Sequence, residues 1–191
     1  MAKVNERTGS PTALILVAEG GEEIETYAPA DVLVRAGFDV MLAGVSGLSP
    51  TGSRGLPMRA DRLIGVFRGQ LFDAIVIPGG EGGAKTIAAS DEAKLRIQHH
   101  ADAGRIVAAI CASPALVLGP MGLLDGKRAT GYPRTRGMFP DSAMYVDKDV
   151  VEDGSLITSK GPATAVAFGL AIARRLTSEA TAHEVSAGML V

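Results

Sequence analysis

The chain has 191 residues, 47% of them hydrophobic and 21% charged, a composition that suits one compact domain able to bury a full core. A formal charge of −2 without any long basic run argues against nucleic-acid binding through phosphate contacts. No apolar stretch approaches the roughly 20 residues of a membrane helix. The single cysteine excludes an intrachain disulfide and suits a reducing compartment, so a cytoplasmic protein is expected.

Residues 1–11 are polar, lack an apolar signal core and read as a loose leader before one domain over residues 12–191. Residues 13–18 (ALILVA) form a continuous apolar run, the mark of a strand buried on both faces of a parallel sheet. Gly20-Gly21 breaks it, and Glu22-Glu23-Ile24-Glu25-Thr26 opens a helix. Ile24, Ala28, Val32 and Leu33 recur there at helical spacing until Gly37, while Pro29 predicts a kink or a late start. Residues 39–43 make the next strand, and strand–helix–strand is how a doubly wound α/β sheet begins.

Residues 44–55 read as loops or a small hairpin. Asp73-Ala74-Ile75-Val76-Ile77 is a strand that stops at Pro78-Gly79-Gly80, with helical residues from there to Ala103. Residues 105–110 (RIVAAI) hold another buried strand, and after Cys111-Ala112-Ser113-Pro114 a short helix runs to about Gly119. Residues 126–145 are expected to carry a small edge hairpin. A late strand, Leu156-Ile157-Thr158-Ser159, precedes a helix started by Gly161-Pro162 that places Phe168, Ile172 and Leu176 on one face. Residues 179–190 form the last helix.

Chemistry centres on Cys111. A thiol at a strand-to-helix turn, with Pro114 in the first helical turn, lies among free backbone N–H groups and the positive end of a helix dipole. Those surroundings are expected to lower its pKa. The equally simple alternative, a buried and inert cysteine, stays open on position alone. Gly79 and Gly80 offer unobstructed N–H groups of the kind that make an oxyanion hole, or are only a tight turn. Glu22, Glu23 and Glu25 suit a helix N-terminus, and Glu25, one turn further in, could reach the cleft and carry a proton with a raised pKa. His99 and His100 read as a solvated pair on a polar helix. Three scattered histidines and one cysteine give no metal-ligand spacing, and no phosphate loop is present. No metal and no cofactor are expected.

The ordered motifs ALILVA with GEEIET, VIPGG, AAICASP and TSKGPAT resemble those of the ThiJ/PfpI superfamily, in its deglycase and YajL-like branch, over residues 12 to about 187. The resemblance implies a flavodoxin-like three-layer α/β sandwich with a mostly parallel sheet and helices on both faces. It also implies a homodimer and a nucleophilic, readily oxidised Cys111 beside a protonated Glu25. Gly79, Gly80 and Ala112 match its oxyanion site, Arg54 its dimer-contact arginine, and Glu22 and a partner-borne Arg35 its lesser contributors. Tyr132 stands where the deglycase branch has a histidine, which weakens a glyoxalase step that relies on that residue. Ala112 stands where peptidase members have one, so peptidase activity is not expected.

The resulting expectation is a cofactor-free glyoxalase and deglycase. It would convert methylglyoxal or glyoxal, free or as early glycation adducts, to hydroxy acids by thiolate attack. The alternative is a non-enzymatic redox-sensing chaperone whose Cys111 oxidises to a sulfinic acid.

Overall fold

In α/β chains the apolar runs choose the sheet, and here they do so in order. A computed structural model describes residues 9–191, so residues 1–8 of the expected leader lie outside it. The strands are β1 (Thr12–Val17), β2 (Asp39–Gly44), β3 (Arg62–Leu63), β4 (Ala74–Ile77), β5 (Ile106–Ile110), β6 (Arg128–Ala129), β7 (Met144–Tyr145), β8 (Val150–Asp153) and β9 (Leu156–Ser159). The helices are α1 (Glu23–Arg35), α2 (Glu81–Ala89), α3 (Asp91–Asp102), α4 (Ala165–Leu176) and α5 (Glu179–Met189).

Seven strands form the main sheet in the order β3-β2-β1-β4-β5-β9-β8, parallel except for the antiparallel edge strand β8. The sequence β2-β1-β4-β5-β9 within it is the flavodoxin-like winding, whose ligand crevice opens at the carboxyl ends of the strands where the order reverses. β4 and β5 are buried along their whole length, because helices cover both faces. On one side α1 packs on α4 so closely that a Cβ at Gly169 would meet the Val32 Cβ at 2.9 Å. On the other, α2 packs against α3 and against the turn Pro114–Leu118.

Several expectations need correction. The helical residues before Ala103 are two helices, split where Ser90 caps α3 by accepting the Ala93 N–H. Helix α1 starts at Glu23 and runs through Pro29, with no late start. Ile24 faces outward at 54% exposure, so the buried stripe of α1 is made by Glu25, Pro29, Val32 and Leu33 instead. The edge hairpin in residues 126–145 is absent: β6 and β7 pair in parallel as a separate two-stranded sheet. The Cys111 segment ends in a wide π-type turn, Pro114–Leu118, rather than an α-helix. His100 is fully buried: its Nε2 accepts the Phe72 N–H while Nδ1 donates to the Arg96 carbonyl. Among the described residues no helix is long and apolar enough to cross a membrane.

Candidate active site

Four strand ends meet at one place on the sheet edge. β1 delivers residues 18–22, β4 delivers Pro78, Gly79 and Gly80, β5 delivers Cys111, and β9 delivers the turn before α4. The loops interlock through backbone bonds: Glu22 N–H donates to the Gly79 carbonyl at 3.1 Å, and Gly83 N–H to that of Gly20 at 2.8 Å. Gly80 must be glycine here. Its φ is +74°, and a Cβ would lie 2.6 Å from the Gly20 oxygen and 2.7 Å from the Glu22 nitrogen.

Cys111 adopts φ +65°, the left-handed region that non-glycine residues avoid. The strain is held by surrounding bonds. Its N–H donates to the Ser159 carbonyl, its carbonyl accepts the Tyr132 N–H, and Ser113 Oγ next to it donates to the Pro78 carbonyl. This elbow turns the sulfur away from the strand and toward the carboxyl end of the sheet. Backbone N–H groups of Gly80 and Ala112 hydrogen-bond it there.

Glu25 approaches the sulfur from α1, with no exposed surface. Its Oε2 accepts the Gly79 N–H at 2.8 Å, whereas its Oε1 is buried without a hydrogen-bond partner. Burial pushes this carboxyl up to about 7, against the Cys111 and Gly79 contacts that pull it down. The expectation that Cys111 has a lowered pKa is corrected. Burial first, then the Glu25 charge, push the thiol up to about 12, and the Gly80 and Ala112 N–H groups only partly offset this. The two groups therefore act as a pair: a thiolate forms at low cost only when the proton resides on Glu25, because two adjacent buried negative charges repel.

The site opens into a cavity of about 590 Å³. Gly80, Cys111, Ala112, Tyr132 and Glu22 line it, and so does Arg54, which the sequence reading expected at a dimer contact. Tyr132 closes one side, its ring packed so that a Cβ on Gly161 would meet it at 3.4 Å. One assignment changes: Gly79 spends its N–H on Glu25 and is not free as an oxyanion donor, which leaves Gly80 and Ala112 as the N–H groups facing the sulfur. Arg35, expected to reach the site from a partner subunit, ends α1 and pairs with Asp31 at 2.8 Å in its own chain.

Further residues shape the site behind and around that wall. Glu23 accepts the Arg54 N–H at 2.9 Å and the Leu56 N–H at 3.3 Å, anchoring the loop that carries Arg54. Burial opposes its ionisation, but the backbone N–H groups outweigh burial and hold the carboxyl below its usual range. Glu22 accepts from Ser53 Oγ and pairs with Arg54 at 3.5 Å. Lys85 and Arg134 bring charge to the mouth, and Leu116 and Met138 bring apolar surface. A lysine one turn into α2 was visible in the sequence; the fold of residues 133–138 over the opening was not.

A strained cysteine elbow paired with a buried glutamate, at the switch point of a flavodoxin-like sheet, defines a class of thiol-centred α/β proteins. The chain belongs to the DJ-1/PfpI family, whose model matches residues 11–175. Protein dj-1beta of Drosophila melanogaster is 39% identical over 184 residues, covering 95% of this chain and 98% of that one. Its crystal structure superposes with a TM-score of 0.92 at 38% identity, over 95% of this chain and 98% of that one. Protein DJ-1 homolog B of Arabidopsis thaliana is 38% identical over 96% of this chain, which spans only 42% of that longer protein. A Caenorhabditis elegans relative named glutathione-independent glyoxalase DJR-1.2 is 34% identical, covering 86% of this chain and 88% of its own.

Proposed function

We propose that the chain is a cofactor-independent, cysteine-dependent glyoxalase that converts methylglyoxal or glyoxal to lactate or glycolate, with early glycation adducts as further substrates. The observation that carries this reading is the Cys111–Glu25 pair, with one carboxyl oxygen anchored by Gly79 and the other unpartnered. The glyoxalase name of the nematode relative supports it.

The proton of the pair passes to Glu25 as the sulfur adds to the aldehyde carbon, forming a hemithioacetal. Its oxygen lies near the Gly80 and Ala112 N–H groups, which are fixed before the charge develops. Glu25 then moves a proton from the aldehyde carbon to its neighbour by way of an enediol. This leaves a thioester at the first carbon and a hydroxyl at the second. Water cleaves the thioester, releasing the hydroxy acid and restoring the thiol. The aldehyde carbon is oxidised and the ketone carbon reduced, so no outside electron carrier is needed.

The test is lactate formation from methylglyoxal, read directly by NMR, for the wild type, Cys111→Ser and Glu25→Gln. Product from the wild type alone supports the assignment, with Glu25→Gln expected to lose roughly 10²- to 10⁴-fold. Unimpaired Cys111→Ser would end it.

A second reading rests on the unpartnered Glu25 Oε1: a protonated carboxyl there can donate to a sulfinate formed on Cys111. A redox-sensing chaperone of this kind, acting in oxidative stress, takes up two oxygens selectively on mild peroxide. Glu25→Gln then changes the product or its lifetime, and scattered methionine oxidation alone would count against it. Both readings include a homodimer in the cytoplasm, with Arg54 at the dimer contact and Arg35 reaching the partner's site; sedimentation of the wild type and Arg54→Glu tests the assembly.

A further inference from the structure

The charges on the cavity wall do not cancel. Glu22 is matched by Arg54 at 3.5 Å, and Glu81 by Lys85 at 2.6 Å. Arg134 is the remaining cation on that wall, and it makes no ion pair or hydrogen bond with any described residue. Its charge acts on Glu81, whose carboxyl the Lys85 hydrogen bond and charge, and then Arg134, hold below the usual range. Arg134 is set in the short helix Pro133–Met138, directly after Tyr132, whose N–H is tied to the Cys111 carbonyl at 2.7 Å. The guanidinium is thereby placed at the mouth through which any substrate reaches the sulfur.

A small neutral dicarbonyl has no use for such a group. A guanidinium presents a planar fork that matches a carboxylate or a phosphate, and without an internal partner it needs no ion pair broken before it binds one. Lys85 can contribute in second place by exchanging Glu81 for a ligand oxygen. We propose that Arg134, assisted by Lys85, favours substrates carrying a negative charge beyond the reacting carbonyl: α-oxoaldehydes with an anionic tail in preference to methylglyoxal. The choice of substrate class rests on the glyoxalase reading; the anion preference of the mouth does not.

That separation permits a test without turnover. Iodoacetate and iodoacetamide alkylate the same sulfur, which displaces iodide as the carbon–sulfur bond forms, and the two reagents differ by one negative charge. The ratio of their Cys111 alkylation rates reads the preference of the mouth directly. Arg134→Gln should lower that ratio roughly two- to fivefold, the range open to a solvent-exposed charge pair. Glu81→Gln, which frees Lys85, should raise it. Arg136→Gln is the control. Arg136 carries the same charge on the same short helix but lies over the Tyr145 ring at 5.0 Å, off the cavity wall. An unchanged ratio in Arg134→Gln, or an equal fall in Arg136→Gln, overturns the proposal.

The substrate arm compares 4,5-dioxopentanoate with its neutral methyl ester. Water and the acid give 2-hydroxyglutarate by the same internal oxidation and reduction. The acid should be favoured through KM, and Arg134→Gln should erase that advantage. Failure of both compounds and of methylglyoxal, with an intact alkylation preference, would sink the glyoxalase reading and leave the anion-selecting mouth standing; failure of both with methylglyoxal still turned over would sink the substrate class. Turnover of both at equal efficiency would sink the substrate class.

Discussion

Gly79 gives its N–H to Oε2 of Glu25 at 2.8 Å, and that bond decides which carboxyl oxygen faces the chemistry. Oε1 is left buried and without a hydrogen-bond partner, an arrangement that costs free energy unless a ligand or a proton uses it. The raised carboxyl beside the thiol can therefore take up the thiol's proton, and the two titrate as one coupled pair.

Stability should record this. The Glu25 carboxyl is raised from 4.5 to about 7 in the folded chain, so the folded state holds a proton that the unfolded state has released. Its contribution is fully present below pH 4.5 and is lost as pH rises through about 7. Glu25→Gln keeps an acceptor for Gly79 and removes the titration. Urea unfolding at pH 5 and pH 8 should show the wild type losing stability relative to the variant across that interval. In a protein of this size each kcal/mol moves Tm by roughly 2–4 °C, so thermal scans should show the same crossing. Parallel profiles would refute a raised carboxyl.

The close approach at Gly79 makes a second prediction. A Cβ there would lie 2.5 Å from the Cys111 Cβ, 2.6 Å from Glu25 Oε2 and 2.9 Å from the Ile110 oxygen. The Ile110 carbonyl is backbone and the Cys111 Cβ is fixed by a strained φ, so neither can step aside. Gly79→Ala should destabilise by about 1–3 kcal/mol and displace the carboxyl from the sulfur. Chemical denaturation gives the first effect and the rate of Cys111 alkylation the second. A variant normal in both would show that the site is looser than its contacts require.

The sheet and the thiol were legible because they leave strong local marks. Runs such as AIVI and IVAAI have no polar face to hide, and a lone cysteine before Ser113-Pro114 has few ways to fold. Glu25 was legible as a possibility, since its position one turn into α1 is a matter of helical spacing. What failed depends on direction. Which N–H of Gly79 or Gly80 meets the sulfur is set by dihedral angles, and the thiol's raised pKa comes from burial that no spacing reports. β6 and β7 are two residues each, too short to carry a period. Arg134 looked like any charge in a Gly/Pro-rich stretch until the chain folded over the cavity.

His100 shows the same failure and leads to the last prediction. A histidine on a polar helix reads as solvated, yet this one is buried against Phe72 with both ring nitrogens bonded, Nε2 as acceptor. Protonation would put a second donor against the Phe72 N–H. Burial holds its pKa below 6.5; the Arg96 carbonyl works the other way, and the charges of His99, Arg96 and Arg105 add to the depression. The unfolded chain thus takes up a proton first, and stability falls as pH drops through about 6.5. His100→Gln supplies a neutral acceptor and should flatten that part of the curve, at some constant cost from altered packing. Urea midpoints from pH 7.5 to 5.5 decide the matter. Equal acid slopes in the two proteins would mean that His100 charges without penalty, and that the buried Phe72 bond is not what resists acid.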